Sequence, residues 1–183
     1  MLSRHLLRTL SPPSSPSTFV EWPKMIEIPS VDGKDQMATS ESIHHEMTVD
    51  TDAATIFAFF TDPERLIRWM GVAAKIEPQR GGLMLLEVHP GRVARGEFKE
   101  VIPVSRLAYT FGWEGREKVP PGSSLIEIDL VPKNGSTLVR FTHSGLPPEE
   151  VPAHREGWNH YLGRLAIAAT GGDPGPDPRL QRT

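Results

Sequence analysis

From Ile43 onward, apolar and polar residues alternate with a period of two, broken by stretches whose period is near that of a helix. "IHHEMTVD" sets Ile43, His45, Met47 and Val49 against His44, Glu46 and Thr48, which predicts a strand with one apolar-leaning face. "TDAATIFAFFTD" predicts a short helix. Thr51 or Asp52 supplies the capping oxygen, and Ile56, Phe57, Phe59 and Phe60 supply the apolar bulk. "TDPERLIRWM" predicts a second helix: Asp62 can cap it, Pro63 suits its first position, and Leu66, Trp69 and Met70 share one face.

A series of strand patterns follows. "AAKIEP" stops at Pro78. "GGLMLLEVHPG" puts Met84, Leu86 and Val88 on one face, and "RVARGEFKEVI" separates Ala94, Gly96 and Phe98 from Arg95, Glu97 and Lys99. "RLAYTFGWEG" aligns Leu107, Tyr109, Phe111 and Trp113; "SLIEIDLVP" sets Ile126, Ile128 and Leu130 opposite Glu127 and Asp129; "STLVRFTHSG" aligns Val139, Phe141 and His143. The links "QRGG", "HPGR", "IPVSR", "KVPPGSS" and "PKNGS" carry turn residues. The pattern is that of an antiparallel meander with a wet face and an apolar face.

The last pattern is helical. Val151, Trp158, Leu162, Leu165 and Ala169 form one stripe. Pro152 marks its start after a looser turn, Glu149 and Glu150 complement the positive end, and Gly171 and Gly172 stop it. One strand, two short helices, about six strands and one long helix indicate the α+β class. The long helix would cover the apolar face of a curved sheet, and the two short helices would close one end.

Composition adds exclusions. The chain has 183 residues, 38% hydrophobic and 23% charged, enough for one core-forming domain with room for tails. A net charge of -3 supplies no basic excess for nucleic acid. The absence of cysteine excludes disulfides, thiolate catalysis and Cys-based metal sites, and fits a reducing compartment. No apolar run is long enough to span a membrane. Proline concentrates at the ends, so residues 1–42 read as a poorly ordered extension, 43–170 as the domain, and 171–183 as a disordered Pro/Gly tail. Residues 1–20 hold two arginines, five serines and no acid. They read either as an upstream extension, with Met25 or Met37 as the true start, or as an organelle transit peptide. The expected location is cytoplasmic in the first case and organellar in the second.

In order, "TDPERLIRWM", "RGGLMLLEV", "GEFKEVIPVSRLAYTFGWEG", "TLVRFTHSGLP" and "GWNHYLGRL" resemble the START-like (Bet v 1-like, SRPBCC) superfamily. Within it, they resemble the domain family named for the activator of Hsp90 ATPase. The resemblance implies a helix-grip fold, in which a curved antiparallel sheet wraps the long C-terminal helix around a cavity. Relatives with this fold use such a cavity for lipids, sterols, polyketides or other apolar molecules.

The candidate cavity lining is Trp69, Met84, Leu86, Val88, Phe98, Tyr109, Phe111, Trp113, Ile128, Phe141, His143, Trp158 and Leu162. An ordinary aromatic core is the competing reading for these residues, and Trp158 leans towards it. His143 continues an apolar strand face. It reads either as a core histidine bonded to a carbonyl or a helix residue, or as a cavity group serving as ligand donor or general acid or base. Metal binding is not expected: His44 and His45 point to opposite strand faces, His154 and His160 are poorly spaced on a helix, and there is no HExxH. No cofactor is expected, since no P-loop, GxGxxG or GxSxG is present. The leading expectation is a non-enzymatic binder of a small apolar molecule, acting as a monomer or weak dimer. The alternatives are a cyclase- or hydrolase-type enzyme using His143 or Tyr109, and a co-chaperone-like partner of an Hsp90-type ATPase.

Overall fold

The computed structural model describes residues 41–180. The expectations for the extension and for a transit peptide fall on residues 1–40, outside the described residues.

Chain order is β1 (Ile43–Val49), α1 (Ala53–Thr61), α2 (Pro63–Leu66), β2 (Ala73–Ile76), β3 (Leu83–His89), β4 (Arg92–Ile102), β5 (Arg106–Phe111), β6 (Ser124–Lys133), β7 (Ser136–Ser144), a 3-10 turn at Pro148–Glu150, and α3 (Val151–Ala169). The strands form one antiparallel sheet in the order β1-β7-β6-β5-β4-β3-β2. Chain neighbours pair from β2 to β7. β1 instead pairs with β7, so β1 and β2 lie on opposite edges and α1–α2 cross between them. This is the helix-grip arrangement that the family resemblance implies.

Local chemistry sets the boundaries. Asp52 caps α1 by accepting from the Thr55 backbone N–H at 2.8 Å. Asp62 caps α2 with Pro63 in its first turn. The predicted second helix is shorter than its pattern, since regular helix ends at Leu66. Arg68 and Trp69 then close tighter turns onto Arg65 and Leu66, and Gly71 turns the chain at φ 85° towards β2. Leu66, Trp69 and Met70 are nonetheless buried together, as their spacing predicts. α3 ends in a Schellman motif: the Gly172 N–H donates to the Ile167 carbonyl at 2.9 Å and the Gly171 N–H to Ala168 at 3.1 Å, with Gly171 at φ 87°.

The core lies between the sheet and α3. Leu107, Tyr109, Phe111, Ile126, Ile128, Leu130, Val139 and Phe141 face Val151, Trp158, Leu162, Leu165 and Ala169 across it, all buried. The outer face carries charge. Arg106 donates to Glu100, Glu127 and Asp129 at 2.6, 2.6 and 2.7 Å, and these carboxylates raise its pKa further above the usual arginine range.

Residues 171–180 depart from the disordered tail that their composition predicts. Arg164 of α3 reaches the carbonyls of Trp69, Pro174 and Gly175 at 3.1, 3.1 and 2.8 Å. His160 meets the buried Asp177 carboxylate at 2.9 Å. Proline and glycine make the segment irregular, and it is held because α3 offers a donor fork for backbone acceptors that have no partner of their own.

Candidate functional site

Two Trp–His pairs join α3 to the sheet. In the first, the Trp158 indole N–H donates to His143 Nδ1 at 2.9 Å. An indole can only donate, so Nδ1 carries no proton and the neutral ring keeps its hydrogen on Nε2. Nε2 therefore donates to Ser124 Oγ at 2.9 Å, and Ser124 donates to the Phe111 carbonyl at 2.9 Å. The relay runs from α3 through β7 and β6 to β5. Register makes it possible: Ser124 lies opposite Phe111, and His143 lies opposite Ile126, two residues along β6.

His143 has 0% exposure. Burial, then the neighbouring His154, pushes its pKa from 6.5 down to about 3. Both ring nitrogens are bonded within the protein, which leaves none for a ligand and a poor base at neutral pH. Of the two readings of this residue, the geometry matches the core histidine bonded to a helix residue.

The second pair runs the other way. Trp113, just after β5, donates its indole N–H to His154 Nε2 of α3 at 2.9 Å, and His154 Nδ1 donates to the Glu150 carbonyl at 2.8 Å. Burial lowers its pKa too. The Phe111 ring touches both pairs, edge-on to His143 with centroids 5.1 Å apart and to His154 at 6.2 Å, and the two imidazoles meet edge to face at 5.7 Å.

The second pair borders a cavity of about 330 Å³. Its back wall is Met70, Val88, Phe111, Trp113 and Trp158; its rim is His89, Arg92, His154, Glu156, Tyr161 and Arg179. Arg92 opens β4 and lies over the Trp113 ring, 4.2 Å from its centroid. Arg179, from the C-terminal segment, binds Glu156 at 2.5 Å. The Tyr161 hydroxyl and His89 Nε2 are 3.5 Å apart. Burial, then Arg92, lowers the His89 pKa; burial, then Asp177, raises that of Tyr161.

Four of the expected lining residues, Val88, Phe111, Trp113 and Trp158, meet at this cavity. Trp69, Met84, Leu86 and Tyr109, with Phe111 and Trp158, instead enclose a space of only about 10 Å³, room for about one water. Phe98, Ile128, Phe141, His143 and Leu162 line neither and pack as core. The inner end of the grip is filled because its side chains are large. Trp69 and Phe60 meet edge to face, and Phe98 tilts against Tyr109.

Parity along single strands does not reveal the rim. His89 and Arg92 flank a hairpin, His154, Glu156 and Tyr161 lie beside the apolar stripe of α3, and Arg179 belongs to a segment with no periodicity. One signal was present: Gly157 sits inside a helix, where glycine is unfavourable, and it lines the cavity. A Cβ there would meet only Arg179 Nη1, at 3.8 Å. Among the described residues, no group of three His, Asp or Glu side chains could hold a metal.

An antiparallel sheet gripping a C-terminal helix, with a cavity beside that helix, defines the helix-grip class. Residues 50–170 match the family described as activator of Hsp90 ATPase homolog 1-like protein, and the chain belongs to that family. It is similar to an AHSA1-like protein from Rhizobium etli, solved by solution NMR: 56% identity, TM-score 0.63, covering 76% of this chain and 88% of that one. Two more distant structures share the fold. One is an HSP90 activator from Plasmodium falciparum (18% identity, TM-score 0.61, covering 70% and 96%). The other is the Aha1 dimer from Colwellia psychrerythraea (20% identity, TM-score 0.62, covering 70% and 96%). No curated protein matches the chain. No helix among the described residues is long and apolar enough to cross a membrane.

Proposed function

We propose that this protein binds a small apolar or amphipathic molecule in the cavity bounded by the β3–β4 hairpin, Trp113, α3 and the C-terminal segment. The observation that carries this reading is the cavity itself: about 330 Å³, with an aromatic back wall and a polar rim. That volume lies at the small end of ligand pockets. The proposed location is the cytoplasm, and the proposed state is a monomer or weak dimer.

A thermal-shift and native mass-spectrometry screen over fatty acids, sterols, flavonoids and polyketides tests the reading. A ligand at about 100 times its Kd should add about 2.7 kcal/mol, a shift of several degrees in Tm. Gly157→Leu, which fills the cavity from α3, should remove that shift. No response to any class, or an equal response in the Gly157→Leu variant, would count against the cavity.

A second reading, stimulation of an Hsp90-type ATPase, draws its support from the family to which the chain belongs. Adding the purified protein to an Hsp90 homologue should raise ATP turnover, and unchanged turnover removes this reading. The cyclase- or hydrolase-type alternative finds little support in its two named residues. His143 is sealed and fully bonded, and burial raises the Tyr109 phenol far above neutral.

A further inference from the structure

We infer that the cavity selects an anionic amphiphile, with an aromatic or otherwise flat apolar body against Trp113 and Phe111 and an acidic head at Arg92. This rests on the proposed cavity reading and adds the charge of its ligand. Arg92 sits on the rim with its guanidinium on the indole of Trp113. Among the described residues it has no carboxylate within ion-pair distance, whereas Arg95, Arg140, Arg155 and Arg179 each have one and Arg106 has three.

The surroundings accentuate this. Glu156, the acid on the rim, is engaged by Arg179. Glu150 also acts on Arg92, but its carboxylate faces Lys118 at 3.8 Å. Partial burial is the main cause that lowers the Arg92 pKa, and the positive charges of Arg116 and Arg179 act in the same direction. His89 is held towards its neutral form by burial and by Arg92. The rim thus carries Arg92 and Arg179 against one carboxylate, in a protein whose net charge is -3. A guanidinium stacked on an aromatic ring keeps its in-plane N–H fork free. That fork matches a carboxylate, sulfonate or phosphate, while the ring beneath supports a flat body.

Two fluorescent probes that differ only in charge test this with the full chain. 8-Anilinonaphthalene-1-sulfonate carries a sulfonate, and N-phenyl-1-naphthylamine is the same skeleton without it. Wild type should bind the sulfonate about tenfold more tightly, the scale of one charged hydrogen-bonded contact. Arg92→Met should lower sulfonate affinity about tenfold and leave the neutral probe within about twofold, while Arg92→Lys should keep most of the preference. Gly157→Leu should weaken both probes.

Equal wild-type affinity for the two probes overturns the anion preference and leaves the cavity reading standing. So does a preference unchanged by Arg92→Met. Failure of both probes to bind, or equal binding by the Gly157→Leu variant, overturns the cavity reading and this inference with it. The wild-type comparison decides the matter even if a variant fails to fold.

Discussion

The two Trp–His pairs use the same groups for different ends. Trp158 and His143 bond in the interior, where His143 is fully buried and every side-chain polar atom of the relay has a protein partner, although one part of the Trp158 ring also reaches the cavity wall. Trp113 and His154 have the same 2.9 Å indole-to-imidazole bond, but both line the cavity. A buried group that loses its partner bears the full cost of desolvation, whereas a group at a wet rim can turn to water. The first pair is therefore expected to hold the helix on the sheet, and the second to shape a site.

The largest expected difference is in stability. His143→Ala strands the Trp158 N–H, removes the donor to Ser124 Oγ and leaves a void, so it should cost about 3 kcal/mol or more in urea unfolding. His154→Ala should cost about 1 kcal/mol, because water at the rim can accept from Trp113. Equal losses would break the distinction between sealed and rim pairs.

Acid should separate the pairs next. The unfolded chain protonates His143 below about pH 6.5, while the native ring resists protonation down to about pH 3. The unfolded state therefore binds more protons in that window. Stability from this group is fully present above pH 6.5 and falls as pH drops towards 3, with a slope of up to about 1.4 kcal/mol per pH unit. His143→Gln should flatten the measured slope between pH 6 and 4 more than His154→Gln does. An unchanged slope in the His143→Gln variant would show that other groups govern acid unfolding.

The smallest effect concerns Gly157, which faces the rim pair's cavity from α3. Its φ is not in the left-handed region, and nothing but the Arg179 side chain lies near a Cβ. Gly157→Ala should therefore stabilise by about 0.5–1 kcal/mol through helix propensity while narrowing the cavity. A rise in Tm with weakened probe binding would mark this glycine as kept open for a ligand. A rise in Tm with unchanged binding would make it a neutral position.

Much of the fold was legible as periodicity. The alternation in β3, β5, β6 and β7 assigned Met84, Leu86, Val88, Leu107, Tyr109, Phe111, Ile126, Ile128, Val139 and Phe141 to one buried face, because a strand has only two faces to offer. The α3 stripe was legible for the same reason, although His154 and Tyr161 are also buried beside it. The site was legible only in part. Val88, Phe111, Trp113 and Trp158 came from parity, but Arg92, His89 and Arg179 are brought together by a hairpin and a returning segment, and neither has a period to read.

The sequence by itself determined the α+β order, the faces of its strands and the caps of its helices. These follow from the spacing of apolar side chains and from Asp, Pro and Gly acting on their immediate neighbours. Only the tertiary structure decided what His143 bonds, because Trp158 and Ser124 reach it from two other elements. It also decided where the space lies. Side-chain parity says which residues point inward, but volume depends on how tightly they fill the interior, and here they fill one end and leave the other open beside Arg92.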